Sequence, residues 1–480
     1  MSYRGVPSEG SLGSQNVLVE VWSVALDQTD VHLVQNTKVG KVGFIPGRSF
    51  LGRIVECGSE IEPDDLKKGE WVIGLLDPAK SGGLTQYVVL NRRRVCGVPH
   101  PNRSLSLTKD EYAFLPLCGI PAYRAVRAIV RGVSLSSHPS PSSFPLSSSP
   151  SPLSSPSHPF SPSFLSPPSS SSSSRPRVLV LCGHVGPGAL AVQMLVRLGW
   201  NVCVHVPLVP LVPEEREEGY IARLSSRIRA WGADDVIFDD GGVGYSPSSS
   251  LSSSSSASAS STSYGDVFDA ILDTVGGKDV WEASRRLLSQ TRMDSTCTID
   301  DADDTQVQIH EKQFVTLLGD TPSNPLPSVR DHWKAGVRTK TPRSSSSSNP
   351  SSKISKKTKI KINYAWISLG QDVDWEGEDV AGTLGEVVRV VLTRGHEGER
   401  GIRPWVGDSL DGEDTEDGGR IVPFERAPEL FNSQRYRDRD RDRGGDRDRD
   451  SRRKDGRIEE ARSGSGLFEN GETAVVRVVG

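Results

Sequence analysis

The run VLVLCGHVGPGALAVQMLVRLG at residues 178–199 constrains the fold more than any other part of the chain. Apolar, strand-type residues lead straight into a glycine-bearing turn, and an apolar helical pattern begins at once. Glycines at 183, 186 and 188 let the backbone approach a pyrophosphate closely. The helix start offers that anion free N–H groups and a favourable dipole. Gly183, Val185, Gly186 and Gly188 are therefore candidates for holding a dinucleotide. A strand, turn and helix without any ligand give the same local pattern, so the neighbouring segments have to decide.

They alternate. After this unit come NVCVHV, IARLSSRIRAWG, DVIF, FDAILD, a helical pattern over 278–289 and FVTLLG at 314–319. Strands alternating with helices predict parallel βαβ units, an α/β doubly wound sheet whose carboxyl-terminal strand ends line a ligand crevice. That adds Asp273 and Thr274, where FDAILDT ends, and Leu318 and Gly319, in TLLGD, to the candidate cofactor-binding residues. An acid at the end of the second strand would hydrogen-bond a ribose 2′-OH and repel a 2′-phosphate. NVCVHVPLVP carries none, whereas His205 and a following arginine, Arg216 or Arg223, suit a phosphate. NADP(H) is thus favoured over NAD(H), although His205 taken alone reads more simply as a histidine without a ligand.

The segments on either side have a different texture. VLVEVWSVAL at 17–26, GRIVE at 52–56, WVIGLL at 71–76 and LTQYVVL at 84–90 are short strand patterns punctuated by Gly, Pro and Asp. They predict a small all-β unit. DEYAFLPLCGIPAYRAVRAIV, residues 110–130, has helical spacing on both sides of a Gly-Ile-Pro break and predicts two helical segments joined by a kink. Near the end, INYAWISL at 362–369 and ETAVVRVV at 472–479 read as strands, and LGEVVRVVLTRG at 384–395 reads as an amphipathic helix.

Four stretches are of low complexity: Ser-rich tracts at 134–174, 246–263 and 342–358, and an Arg/Asp run at 433–466. They offer too little apolar surface to offset the entropy of ordering and are predicted to be disordered insertions. The remainder, roughly 370 residues, corresponds to two domains at about 150 residues each. The Arg/Asp run mixes 11 basic with 7 acidic residues between 435 and 457, the pattern of a solvated loop rather than of an RNA-contacting tail. A net charge of −4 implies no polyanion partner, neither nucleic acid nor an anionic membrane surface. Six cysteines without a CxxC pair, behind a start that lacks a secretory pattern, suggest a reducing, cytoplasmic setting.

Nine of these segments stand in a telling order: ALDQTDV, PGRSFLGRIVECG, LPLCGIPAYRA, GHVGPGALAVQ, AWGADDVI, FDAILDTVGG, FVTLLGD, VPFERAPELF and TAVVRVV. So ordered, the chain resembles the medium-chain dehydrogenase/reductase superfamily, and within it the zinc-less quinone oxidoreductase-like or enoyl reductase proteins. The resemblance implies a Rossmann domain at 175–341, carrying the insert 246–263, and a GroES-like catalytic domain. The latter would be built from 1–133 and, after the linker 342–358, from 359–480 with the insert 433–466. It also implies that the first catalytic loop holds Asp27, Thr29 and Asp30 as catalytic candidates, though Asp27 and Asp30 equally read as caps of a helix starting near Thr29.

Where zinc-dependent members have ligands, this chain has Asp27, then Arg48 and Ser49, then Cys118. A cationic arginine is repulsive in such a shell, so no metal is expected. Cys118 reads first as a small buried hydrophobe, and Tyr123 as packing between the domains. The implied activity is NADPH-dependent hydride transfer to an activated C=C bond or a quinone, with a small-molecule enone or quinone as partner. The alternative is a catalytically inactive NAD(P)-binding or interaction protein that keeps the fold. Relatives are often dimers, which makes a homodimer one option.

Overall fold

The computed structural model describes residues 12–35, 44–77, 82–101, 107–134, 175–207, 214–239, 267–290, 309–321, 329–340, 344–345, 359–368, 373–374, 377–393, 401–405, 421–428, 431 and 473–478. Strand β1 (Asn16–Leu26) leads into helix α1 (Gln28–Gln35), followed by strands β2 (Ser49–Cys57), β3 (Trp71–Leu75), β4 (Tyr87–Asn91) and β5 (Val95–Gly97). β1 is central: it pairs antiparallel with both β2 and β4, and β2 passes the ladder to β3 and β3 to β5. Because β1 has neighbours along its whole length, eight of its 11 residues are buried. On β4, by contrast, Val88 and Leu90 face in while Tyr87 and Val89 face solvent, the period of two expected of a strand with one wet face.

Helices α2 (Lys109–Phe114) and α3 (Ile120–Ser134) follow. Thr108 and Glu111 form a reciprocal capping box: the Glu111 N–H donates to Thr108 Oγ1 at 3.2 Å and the Thr108 N–H to Glu111 Oε2 at 2.7 Å. The sequence places a kink at Gly119–Pro121; the structure places the irregularity one turn earlier, as a π-type widening over Leu115–Gly119. Pro116 explains the shift, since its ring cannot be accommodated in a regular turn and it has no N–H to donate. The stretch Lys109–Val133 is long and apolar enough to cross a bilayer, yet 89% of its apolar window is buried inside the protein. A packed interior accounts for its composition.

The parallel sheet comes next: β6 (Arg177–Leu181), α4 (Gly186–Arg197), β7 (Asn201–Pro207), α5 (Glu214–Ala230), β8 (Asp235–Asp239), β9 (Ala270–Asp273), α6 (Lys278–Leu288), β10 (Ile309–Thr316), α7 (Val329–Lys340), β11 (Ser344–Ser345) and β12 (Lys359–Trp366). Its strand order is β11-β12-β10-β9-β6-β7-β8, parallel except for the short edge strand β11. Read from β8 to β12, the six parallel strands follow the order 3-2-1-4-5-6 of a dinucleotide-binding sheet, with the topological switch between β6 and β9. Two expectations change here. β12, assigned from sequence to the segment completing the catalytic unit, is the sixth parallel strand. And within the tract 342–358, Ser344 and Ser345 pair with β12. The tracts 134–174, 246–263 and 433–466 otherwise lie outside the described residues, Ser134 at the end of α3 excepted.

Helix α8 (Val380–Leu392) packs its buried valines against α3, and strands β13 (Ile421–Pro423) and β14 (Ala474–Arg477) close the chain. β14 pairs antiparallel with β1, Val24 opposite Val476, and β13 runs parallel to β14. The antiparallel sheet is therefore completed by residues from both ends of the sequence. Between the two sheets α3 carries two buried arginines. Arg127 pairs with Asp374 and, at 2.8 Å, with Glu378, and Arg124 donates to Thr383 Oγ1 at 3.1 Å, which ties α3 to the start of α8.

One buried lysine gives this fold a pH signature. Lys312 on β10 is only 4% exposed and donates to the Gln290 carbonyl at 2.8 Å. Burial pushes its ammonium down to about 8, partly opposed by Asp269. Above that value the folded chain has shed the proton while the unfolded chain keeps it until about 10.5, so this residue makes stability rise with pH across that window. The rise is expected to be about 3 kcal/mol at most. Urea midpoints of wild type and Lys312→Met at both ends of the window check it: the gap between them should shrink as pH rises, and a constant gap would contradict the assignment.

Candidate functional site

β6 delivers the chain to the switch point, and the turn beyond it is built for close approach. Cys182 adopts φ 53°, a left-handed conformation uncommon for a residue with a side chain, and Gly186 has the same φ. The Gly183 N–H donates to the His205 carbonyl at 3.3 Å, holding the turn against β7. A Cβ on Gly188 would lie 2.8 Å from the Cys182 carbonyl oxygen and 2.9 Å from Gly183 Cα. Nothing larger than hydrogen fits between α4 and the turn. Val185 is the N-cap of α4 and supplies no side-chain cap. The first-turn N–H groups of this helix of 12 residues are thus left to an outside acceptor. A cradle that a Cβ would fill, below an uncapped helix start, fits a diphosphate.

Beside the turn, His184 is buried with its Nδ1 3.9 Å from Cys182 Sγ. Burial, reinforced by the charge of Arg227 and by His205, pushes its imidazole down to about 3, so it stays neutral. The sequence singled out His205 but not His184. His205 lies in β7 and is half-buried, and Arg223 lies on α5 with an exposed side chain. Arg216 falls in α5 but its side chain is outside what is described.

The two further strand ends form the rest of the rim. Asp273 is buried, and its Oδ1 accepts from the Val275 N–H at 2.9 Å and the Gly276 N–H at 2.8 Å. The Thr274 hydroxyl donates to the Leu181 carbonyl at 2.8 Å. Both side chains therefore shape the rim from within, joining the ends of β9 and β6. Gly277 donates to the Gly319 carbonyl at 2.7 Å, linking this rim to the loop after β10, where Leu318 is half-buried and Gly319 is left-handed at φ 68°.

In the antiparallel unit, Asp27, Thr29 and Asp30 come together at the start of α1. Asp27 Oδ1 accepts from the N–H groups of Thr29 (2.9 Å) and Asp30 (3.3 Å), so it does cap this helix. Its Oδ2 accepts from the Thr29 hydroxyl at 3.2 Å and from Arg48 at 2.8 Å. Asp30 is fully buried and accepts from the Gly47 N–H at 2.8 Å and the Asp27 N–H at 3.1 Å. Desolvation and the neighbouring Asp27 charge lift its carboxyl to about 7, against the pull of Arg48 and of the two amides. Arg48 is buried, and so is Cys118, whose thiol is pushed up by burial and by the Asp27 charge. The set Asp27, Arg48 and Cys118 does not fit a divalent cation: one carboxylate oxygen is held by a guanidinium, and that charge repels a metal. Ser49 donates to the Ala113 carbonyl at 2.7 Å and is occupied there. Tyr123 is buried in α3 with the Arg127 guanidinium 5.4 Å from its ring centroid, inside the packed core.

Comparison with known proteins agrees with this geometry. Residues 13–100 match the family model of the alcohol dehydrogenase GroES-like domain. That domain accompanies a six-strand parallel sheet of dinucleotide-binding order. Among solved structures, the chain aligns with the JamJ enoyl reductase in its apo form, covering 99% of this chain and 94% of the other with a TM-score of 0.51 and 12% identity. It aligns likewise with an NAD-dependent alcohol dehydrogenase, over 100% and 95% of the two chains, at a TM-score of 0.50 and 14% identity. A curated relative, the mitochondrial NAD(P)H oxidoreductase RTN4IP1 of Danio rerio, is 26% identical over 239 residues, half of this chain. The chain spans only 43% of that relative's length.

Proposed function

We propose that this chain is a medium-chain dehydrogenase/reductase, a zinc-independent, NADPH-preferring oxidoreductase that reduces an activated C=C bond or a quinone of small-molecule size. The observation that carries the reading is the uncapped start of α4 over a turn with no room for a side chain, at the switch point of the parallel sheet. Gly183, Gly186 and Gly188 would hold the diphosphate, with the rims at Gly276–Gly277 and Leu318–Gly319 flanking the nicotinamide half. A bound nicotinamide supplies the hydride. The preference for NADPH is supported by the absence of an acid at the end of β7 and by the presence there of His205. The ion pair of Asp27 with Arg48, in the place where a metal would need anionic donors, supports a reaction without zinc. Conjugated acceptors suit such a site because charge developing on hydride addition spreads over an enolate or quinol.

The chain's own contribution is orientation: Asp27 fixes the Thr29 hydroxyl and Arg48 together, while buried Asp30 anchors the backbone of this loop through the N–H groups of Asp27 and Gly47. A second reading, a nucleotide-binding protein without turnover, is favoured by one specific observation: Thr29, Asp30 and Arg48 are all buried.

Titrating NADPH while following its fluorescence, then adding a quinone or an enone, separates the two. Saturable binding followed by NADPH oxidation is expected; binding with no oxidation by any acceptor would carry the second reading. Failure to bind either pyridine nucleotide at about millimolar concentration would overturn both. Stoichiometric zinc in the purified protein would overturn the metal-free part alone.

A further inference from the structure

We infer that Arg338 is a positioning residue for the nicotinamide half of the cofactor site, acting through Asp320. This rests on the pyridine-nucleotide reading above and goes beyond it by assigning a role to a helix that sequence reasoning passed over. Arg338 stands on α7, outside the parallel sheet's ligand crevice, and reaches back with its guanidinium fork to both carboxylate oxygens of Asp320, one at 2.9 Å and the other closer. Two aromatic rings frame it, Trp281 at 5.8 Å and Tyr364 at 5.5 Å from the guanidinium carbon. The cation is thus held by a hydrogen bond with the Tyr364 side chain and by the two ring systems as well as by charge.

Asp320 is the residue directly after Gly319, the left-handed glycine of the rim. That glycine is held from three sides. Its N–H donates to Thr316 Oγ1 at 3.2 Å, and its carbonyl accepts from Gly277 at 2.7 Å. Its α-carbon faces Trp366 so closely that a Cβ would lie 3.1 Å from the ring. The Arg338 fork adds a fourth restraint at the next residue. A bidentate guanidinium–carboxylate pair fixes direction as well as distance, so it sets how the backbone of 317–319 is presented to the crevice. The Gly183–Gly188 turn, where a diphosphate would sit, follows β6, whereas Asp320 follows β10 on the other side of the switch point.

The inference predicts a split effect. Arg338→Met, with Asp320→Asn as a second variant, is expected to weaken NADP+ about tenfold, while 2′-phospho-ADP-ribose, which is NADP without the nicotinamide, binds within about twofold of wild type. Arg338→Lys keeps the charge and loses the fork, and should recover only part of the NADP+ affinity. Isothermal titration of both ligands with each full-length variant, alongside its melting curve, reads the outcome. A purely structural role would weaken the two ligands in parallel, and that result overturns the inference, as does unchanged NADP+ binding in both Arg338→Met and Asp320→Asn. If wild type binds neither ligand, the pyridine-nucleotide reading itself has failed, a result distinct from the others.

Discussion

Gly188→Val is expected to abolish dinucleotide binding, with a loss beyond about a hundredfold, and to cost about 1–3 kcal/mol of stability. The reason is what the new side chain would meet. The nearest atoms to a Cβ at this position are the Cys182 carbonyl oxygen and the Gly183 α-carbon, at 2.8 and 2.9 Å, and both are backbone. A flexible side chain could swing aside; these atoms can retreat only by lifting α4 off the turn, which moves the helix N-terminus away from any diphosphate. Gly199→Ala is the matching control. Gly199 has φ 81° with nothing within 4 Å of its would-be Cβ, so that substitution costs about 1 kcal/mol of backbone strain and leaves binding unchanged. Nucleotide titration and urea unfolding of the two variants test the contrast. Equal binding by both would refute the cradle.

The second large effect is structural. Asp374→Ala is expected to destabilise the protein by about 3–5 kcal/mol, because Asp374 is the buried partner of Arg127 and lies 3.9 Å from Arg124. Removing it leaves two guanidinium groups in the core with less opposing charge, and a guanidinium cannot escape by losing its proton. Glu378 remains at 2.8 Å from Arg127 but its side chain is partly exposed, so it offsets little. For the same reason Glu378→Gln should cost less than half as much. The carboxylate of Asp374 also accepts the Glu378 N–H at 3.0 Å, so the loop before α8 loosens along with the ion pair. Chemical denaturation of the two variants, compared at neutral pH, decides it: a loss under about 1 kcal/mol for Asp374→Ala would show that the charges find compensation elsewhere.

Much of this architecture is legible in the sequence because it is written locally. The β6-turn-α4 unit declares itself through apolar runs flanking glycines, and the alternation that follows fixes a parallel sheet. Other parts depend on partners far away. α7 (VRDHWKAGVRTK) escaped notice because its polar surface leaves no long apolar stripe, and its role comes from a single arginine reaching another strand's loop. Sequence alone places β12 in the other unit, because a strand's sheet is chosen by its neighbours, here β10, not by its own residues. Asp273 and Thr274 sit where strand-end logic puts them, yet their polar atoms are turned to the backbone. Sequence position gives the edge of the crevice but not the direction of a side chain. The same holds for Asp27: its acid is visible, while the bond to Arg48, 21 positions later, is not.

The meeting of β14 with β1 bears on how a ribosome can make this protein. Those strands are roughly 450 residues apart, so this one pairing waits for β14 to emerge, whereas the pairings of β1 with β2 and β4 and the parallel sheet can form earlier. Meanwhile Ser23–Leu26 of β1 present an unpaired edge on the side that β14 will cover, a liability for adhesion between nascent chains. The closure entropy grows only with the logarithm of the span, about 0.6 kcal/mol per doubling, so serine tracts inserted within it add almost nothing to the thermodynamic cost of joining the two strands. What they lengthen is the wait.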